Sequence, residues 1–196
     1  SVDGFFFGSP AHYQFRHLSF QEGLCAKMLA SDPMFSSWLS DGKHVRKLLM
    51  HGPNVGRIGC DALASHLPAG LLDLSSKGSK DELSAEAAGV LGDILQSAGA
   101  SHVSALKIDG AECELNLLQL RGTEPVQVLD LRFKKLGKFG GIVVAKLIAF
   151  NTTLTSLDLC MNMLGVEGAK AVAKMLEGNT TLTEVNLRAN DMNDDA

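Results

Sequence analysis

The sequence predicts an α/β solenoid segment, in which short strands lie side by side in a parallel sheet and each is followed by a helix on the opposite face. Three observations predict it. Asn151-Thr-Thr-Leu-Thr-Ser-Leu-Asp-Leu159 recurs as Asn179-Thr-Thr-Leu-Thr-Glu-Val-Asn-Leu187, a shift of 28 residues. Val126-Gln-Val-Leu-Asp-Leu131 is the same strand one period earlier. Between strands, Ala169, Val172, Ala173 and Leu176 fall at i, i+3, i+4 and i+7, one face of a helix. A fixed period of a few tens of residues marks an array in which each unit buries its apolar face only against its neighbours.

The unit starting at Leu154 sets the pattern. Leu157 and Leu159 alternate with Asp158, so a short strand points its leucines inward. The Asn162 amide can bond backbone groups of the following turn that burial would otherwise leave unpaired. Small residues in the helix let it lie close to the strands, and Asn179 after Gly178 predicts a left-handed stop. Leu154, Leu157, Leu159, Asn162 and Leu164 spell L-x-x-L-x-L-x-x-N-x-L, which resembles the leucine-rich repeat. The length of strand, turn, helix and turn resembles its ribonuclease-inhibitor class. The resemblance implies a right-handed horseshoe segment, with the parallel sheet on the concave face and the helices on the convex face.

Walking backward, Val126, Leu129 and Leu131 precede Leu136 and Gly137-x-x-Gly140, with Lys134 in place of the asparagine. Val45, Leu48 and Met50 precede Val55 and Gly56-x-x-Gly59 at a shift of 109, with Pro53 in that place. Two units between are degenerate: Leu72-Asp-Leu74 with a helix through Leu95, and Val103, Leu106 and Ile108 with a helix of barely two turns from Leu115 to Leu120. The expected division is therefore 1–42 as an aromatic-rich helical N-terminal cap or arm, and 43–196 as about six repeats with strands starting near 45, 69, 103, 126, 154 and 182. The repeat resemblance covers roughly 43–196.

The first 41 residues hold six of the nine Phe and the only Trp and Tyr. Ser19-Phe-Gln-Glu22 is a capping box that opens a helix to about Ala30. Asp32-Pro33 breaks it, and Met34 to Leu39 predict a second short helix. A sheet end exposes apolar strand, which such a cap would cover. The rival reading makes Phe5, Phe6, Phe7 and Tyr13 an arm that docks on a partner. The chain starts at Ser1 and stops at Ala196 within a repeat, which reads as a piece of a longer protein.

Composition narrows the function. The hydrophobic fraction is 45% and the net charge −4, with a mean hydropathy of +0.10. Nothing pulls the chain toward nucleic acid or an anionic membrane, and no apolar run approaches the roughly 20 residues that span a bilayer. Cys25, Cys60, Cys113 and Cys160 are 35, 53 and 47 residues apart without a C-x-x-C. They read as free thiols in an intracellular, reducing compartment.

Candidate chemistry is thin. In the implied architecture the residues flanking the strand leucines line the concave face. The columns read Lys47, Leu71, Ala105, Val128, Ser156 and Glu184; Leu49, Asp73, Lys107, Asp130, Asp158 and Asn186; and His51, Ser75, Asp109, Arg132, Cys160 and Arg188. Asp130 and Asp158 stand about 5 Å apart on adjacent strands, a spacing open to acid–base work but expected of a solvated face offset by Arg132 and Arg188. Cys160 and His51 would lie about 19 Å apart, too far to pair. The six histidines have no H-x-x-H spacing, so no metal is expected. Gly137-x-x-Gly140 recurs with the repeat and is no nucleotide loop, and the N-x-T triplets at Asn151 and Asn179 recur likewise. No cofactor and no catalytic residue is expected.

The expectation is a non-catalytic protein–protein interaction module, a scaffold or structural subunit of a larger assembly. Its partner-binding face would comprise Asp73, Lys107, Asp109, Asp130, Arg132, Ser156, Asp158, Cys160, Glu184, Asn186 and Arg188, with Asp191, Asp194 and Asp195 adding a negative patch. The alternative is a regulatory protein of the GTPase-activating or inhibitor type that binds one partner through the concave face. The Ran GTPase-activating proteins share this repeat type and act through strand-to-helix loops, where Arg57 would lie.

Overall fold

A computed structural model describes residues 33–51, 57–75 and 83–192. Phe5, Phe6, Phe7 and Tyr13, the capping-box helix, Cys25, Asp194 and Asp195 lie outside the described residues. The elements run α1 (Pro33–Leu39), α2 (Gly42–His51), α3 (Arg57–Ala64), β1 (Gly70–Asp73), α4 (Ala85–Gln96), a single 3-10 turn (Ala98–Ala100), β2 (Val103–Lys107), β3 (Leu115–Asn116), α5 (Leu117–Arg121), β4 (Val128–Asp130), α6 (Gly137–Ile148), β5 (Ser156–Asp158), α7 (Gly165–Gly178) and β6 (Glu184–Asn186).

The strands form two sheets among the described residues. β4, β5 and β6 are parallel throughout, with Asp130 opposite Asp158 and Asp158 opposite Asn186. That register is the 28-residue shift of the sequence. β1 and β2 are also parallel, with Asp73 opposite Lys107. β3 then runs antiparallel on the far edge of β2, pairing Leu115 with Leu106 and Asn116 with Ala105. The place where a further parallel strand would dock is therefore taken.

Lys134 accounts for the interruption. In the later units a buried asparagine amide reaches back into the preceding turn: Asn162 Nδ2 donates to the Leu131 carbonyl at 2.7 Å, while its Oδ1 accepts from the Lys134 N–H at 3.0 Å. Asn190 repeats this, donating to the Leu159 carbonyl at 2.9 Å and accepting from the Asn162 N–H at 2.8 Å. A lysine head carries donors only, so it cannot accept those N–H groups. The turn after β2 lacks its clamp, and the backbone folds back as β3, with one link from the Glu112 N–H to the Lys134 carbonyl at 2.9 Å.

The unit expected at Val45 is corrected. Gly42–His51 is a helix, not a strand. The spacing i, i+3 between Val45 and Leu48 suits either element; burial decides it. Val45, Leu48 and Leu49 are buried, and so is Arg46, which is a helical face and not a strand alternation. Lys47, Leu49 and His51 therefore leave the sheet columns, and Arg57 opens helix α3 instead of sitting in a strand-to-helix loop.

Helix α2 is anchored on the first sheet. Gly42 lies so close to β1 that an added Cβ would stand 2.1 Å from the Asp73 carbonyl oxygen. Arg46 Nη1 donates to the Leu74 carbonyl at 2.9 Å and pairs with the Asp109 carboxylate at 2.6 Å.

The remaining helices pack as a row, α3 on α4, α4 on α6 and α6 on α7. Small residues set the approach. A Cβ at Gly141 would stand 2.7 Å from Leu164 Cδ2, so a side chain there would make the buried Leu164 shift. Asp93 and Lys146 pair across α4 and α6 at 2.7 Å, and Gln96 Nε2 donates to the Leu147 carbonyl at 2.8 Å. One apolar core runs from Leu39 to Met175 and joins both sheets to the helical row. Fully burying a leucine such as Leu157 or Leu159 contributes about 2 kcal/mol.

Among the described residues Cys60, Cys113 and Cys160 form no disulfide. Burial, and then the charges of Asp93 and Asp61, push the Cys60 thiol up to about 11. The native protein should therefore leave Cys60 unmodified by iodoacetamide at about pH 8, with reaction appearing on unfolding, as read by peptide mass mapping.

Candidate functional site

Two buried asparagine ladders hold the second sheet. Asn162 and Asn190 clamp the turns that leave the strands. Asn151 and Asn179 clamp the turns that enter them. Asn151 Nδ2 donates to the Gln119 carbonyl at 2.9 Å, and its Oδ1 accepts from the Thr153 and Leu154 N–H groups at 2.9 and 3.0 Å. Asn179 Nδ2 donates to the carbonyls of Ile148 and Asn151, both at 3.0 Å. All four asparagines are buried, so the N-x-T triplets at Asn151 and Asn179 are structural clamps. Asn179 sits at φ −84 and ψ 120. This corrects the expected left-handed stop: extended backbone lets the amide turn inward to reach its two carbonyls.

Between the ladders the strands present their outward side chains. Asp130 and Arg132 form a two-point pair, Nε to Oδ1 at 3.0 Å and Nη2 to Oδ2 at 2.7 Å. Arg132 Nε also lies 3.7 Å from Asp158 Oδ2. Asn186 Nδ2 donates to that oxygen at 3.0 Å, and Ser156 Oγ donates to Glu184 Oε2 at 3.1 Å. The two carboxylates on adjacent strands are thus bridged by one guanidinium. Arg188 makes no ion pair among the described residues, which leaves it free of the role expected for it.

The hydrogen bonds from the Arg132 side chain and backbone hold the Asp130 carboxyl low, at about 2. The folded value is below the unfolded value of about 3.9. The pair's contribution is therefore present above about pH 4 and lost as pH falls through about 2. A carboxylate titration followed by NMR should place the Asp130 midpoint near about 2, and Arg132→Ala should return it toward the ordinary aspartate value.

The other predicted residues fall elsewhere. Asp73 and Lys107 face each other on the first sheet. Asp73 Oδ1 accepts from the Ser75 N–H at 2.8 Å and lines a cleft of about 350 Å³ with Ser40, Asp41, Lys43, Leu71 and Ser75. Asp109 is drawn to Arg46. Cys160 is half-buried, its N–H bonded to Asp158 Oδ1 at 2.9 Å. The structure gathers Asp130, Arg132, Asp158 and Asn186 into one network, sets Ser156 and Glu184 beside it, and leaves Asp73, Lys107 and Asp109 on the other sheet.

Sequence reading missed a row on the rim. Phe133, Met161 and Ala189 share left-handed backbone at φ 59, 56 and 53, as do Lys135, Met163 and Asp191 at 52, 55 and 53. The 28-residue period could have revealed the column, since Phe133 and Met161 directly follow Arg132 and Cys160.

A family model described as Leucine Rich repeat matches residues 150–173 and 178–196. These two segments are similar to leucine-rich repeats. The match, with the parallel strands and alternating helices, supports a leucine-rich repeat protein, and such repeats generally serve as protein–protein interaction modules. No curated protein matches the chain. Among the described residues no helix is long and apolar enough to cross a membrane, and no group of three His, Cys, Asp or Glu could hold a metal ion.

Proposed function

We propose that the chain is a non-catalytic protein-binding module, a scaffold or structural subunit of a larger assembly, that engages its partner through the outward face of the β4–β5–β6 sheet. The observation that carries this reading is the self-paired polar network of Asp130, Arg132, Asp158 and Asn186, laid on rigidly clamped strands. Charges already paired and pre-positioned offer a partner a patterned surface with little ordering cost. Helices α1 and α2 serve as the end cover of β1, and the array belongs to the ribonuclease-inhibitor-like class. Cys113 and Cys160, which form no disulfide among the described residues, fit an intracellular, reducing compartment.

The alternative, a regulator that binds one partner through the same face, is separated by stoichiometry. Native pull-down with mass spectrometry of the full-length protein should return a fixed, stoichiometric set of subunits, and Asp158→Lys with Glu184→Lys should abolish it. Retrieval of a single substoichiometric partner would favour the regulator. Capture unaffected by the face substitutions would end the reading of this face as the binding site.

A further inference from the structure

The turn that leaves β5 carries three sulfur-bearing side chains within four residues, Cys160, Met161 and Met163 around Asn162. Leu159, Asn162 and Leu164 are fully buried, so the chain is pinned at those places and the residues between them face out. Met161 and Met163 are exposed by 46% and 49%, and Cys160 is half-buried. The Asn162 amide braces the turn, donating to the Leu159 and Cys160 carbonyls at 2.9 and 3.3 Å. The Asn162 N–H is tied to Asn190 Oδ1 at 2.8 Å, and the Met161 N–H to the Arg188 carbonyl at 3.0 Å. The three side chains therefore leave a stiff backbone.

Reach lets their sulfurs meet. Fully extended, the chain from Cys160 to Met163 would span about 10 Å. Left-handed backbone at Met161, φ 56, makes the span shorter. With metal–sulfur bonds of about 2.3 Å, a cysteine holds an ion about 4.5 Å from its Cα, and the longer methionine stem about 5.5 Å or more. The two reaches together cover the span, and Met161 lies between.

The repeat does not demand sulfur here. The same three positions hold Arg132, Phe133 and Lys135 one period earlier, and Arg188, Ala189 and Asp191 one period later. Filling gaps in a core is the ordinary use of methionine, and these two lie outside the core. Ligand type selects the ion. One thiolate and two thioethers are soft donors, the set that favours Cu(I), whereas carboxylate, carbonyl and water suit Mg(II) and Ca(II). The charges beside the turn are mixed, Arg132 and Arg188 with Asp158 and Asp191, and do not decide it.

We propose that Cys160, Met161 and Met163 form a surface site for the soft monovalent ion Cu(I). On binding, the thiol S–H bond breaks, its proton passes to water, and a copper–sulfur bond forms. The two thioethers each donate a lone pair, and no electron is transferred. The proposal goes beyond the protein-binding reading and does not depend on it.

The test uses the full chain, reduced and free of oxygen, with Cu(I) supplied as its bicinchoninate complex. The native chain should withdraw one equivalent more copper than Cys160→Ser does. Met161→Leu with Met163→Leu conserves volume. It should weaken the site by at least about tenfold, the loss seen when a metal ligand merely loses its supporting partner. Ag(I), a diamagnetic substitute, should move the methyl NMR signals of Met161 and Met163 and leave those of the rest of the seven methionines in place. Zn(II) in equal amount should displace neither ion.

Copper uptake unchanged in Cys160→Ser would assign the metal to Cys25, Cys60 or Cys113 and overturn the proposal. So would undiminished affinity in the methionine double variant, since a thiol alone would then account for binding. Methionine signals that stay still under Ag(I), or equal displacement by Zn(II), would also overturn it. Should Cys160→Ser lose its fold by circular dichroism, the methionine variant and the NMR reading decide. The partner pull-down is run without copper, so failure of either reading leaves the other standing.

Discussion

Replacing Asn162 by alanine should lower the unfolding free energy by about 3 kcal/mol or more, the largest single-residue effect expected outside the apolar core. The side chain is fully buried. Its amide donates to the carbonyls of Leu131, Leu159 and Cys160 at 2.7, 2.9 and 3.3 Å, and its oxygen accepts from the N–H groups of Lys134 and Leu136 at 3.0 and 3.4 Å. Alanine fills little of that volume and answers none of those groups. Each one left dry costs on the order of 1–3 kcal/mol, less than additively because the turn can relax. Asn162→Asp should be no milder, because it keeps the acceptor but loses the donor and buries a charge. Urea unfolding measures this through the midpoint at constant slope. A loss under about 1 kcal/mol would mean that water replaces the amide and that the ladder is not what holds the turns.

Arg46→Ala should be the second large effect, about 2–3 kcal/mol, and should be local in character. Arg46 is 6% exposed and joins helix α2 to the segments that directly follow β1 and β2, through the Leu74 carbonyl and the Asp109 carboxylate. The carboxylate is partly open to water and can rehydrate, which keeps the cost below that of breaking a fully buried pair. The Leu74 carbonyl has no such relief. Hydrogen exchange should show the α2 amides and the edge of β1 losing protection while β5 and α7 keep theirs. Equal loss everywhere would show that α2 and the distant repeats unfold as one unit. Arg46→Met, which restores the buried stem, should recover part of the loss.

How much could be read beforehand depends on how many constraints each segment carries. The units at Leu154 and Leu182 were legible because strand leucines, asparagine, glycine and helix all repeat at one spacing, and the observed register pairs Asp158 with Asn186 at that same spacing. The segment at Val45 carried the apolar spacing and a Gly-x-x-Gly, but Pro53 in place of the asparagine. Helix and strand-plus-turn share that apolar spacing, and the discriminating fact, that Arg46 and Leu49 are both buried, is tertiary. The asparagine clamp was legible at Asn162, yet not that it serves the preceding turn more than its own. That is why Lys134 disturbs β2 and β3 upstream of itself and leaves its own turn intact. Arg46 was invisible as an anchor, because a buried arginine becomes reasonable only once Asp109 and the Leu74 carbonyl are beside it. Phe133 and Met161 were overlooked because the columns were read along the strands and stopped where the strands stop.

The antiparallel detour of β3 bears on how the molecule would respond to load. Where parallel strands run on from one unit to the next, a pull along the row is shared by strands and helices together, as in a laminate with two bonded plies. Between β2 and β4 one ply is cut, and the tension passes through the packing of α4 against α6, with the Asp93–Lys146 pair and the Gln96 bond, and through the Asn151 bond to the Gln119 carbonyl. A laminate with one severed ply flexes along the cut. Stretched or bent by its neighbours, this chain would yield first along that line, with the clamped repeats after Leu154 travelling as one stiff plate.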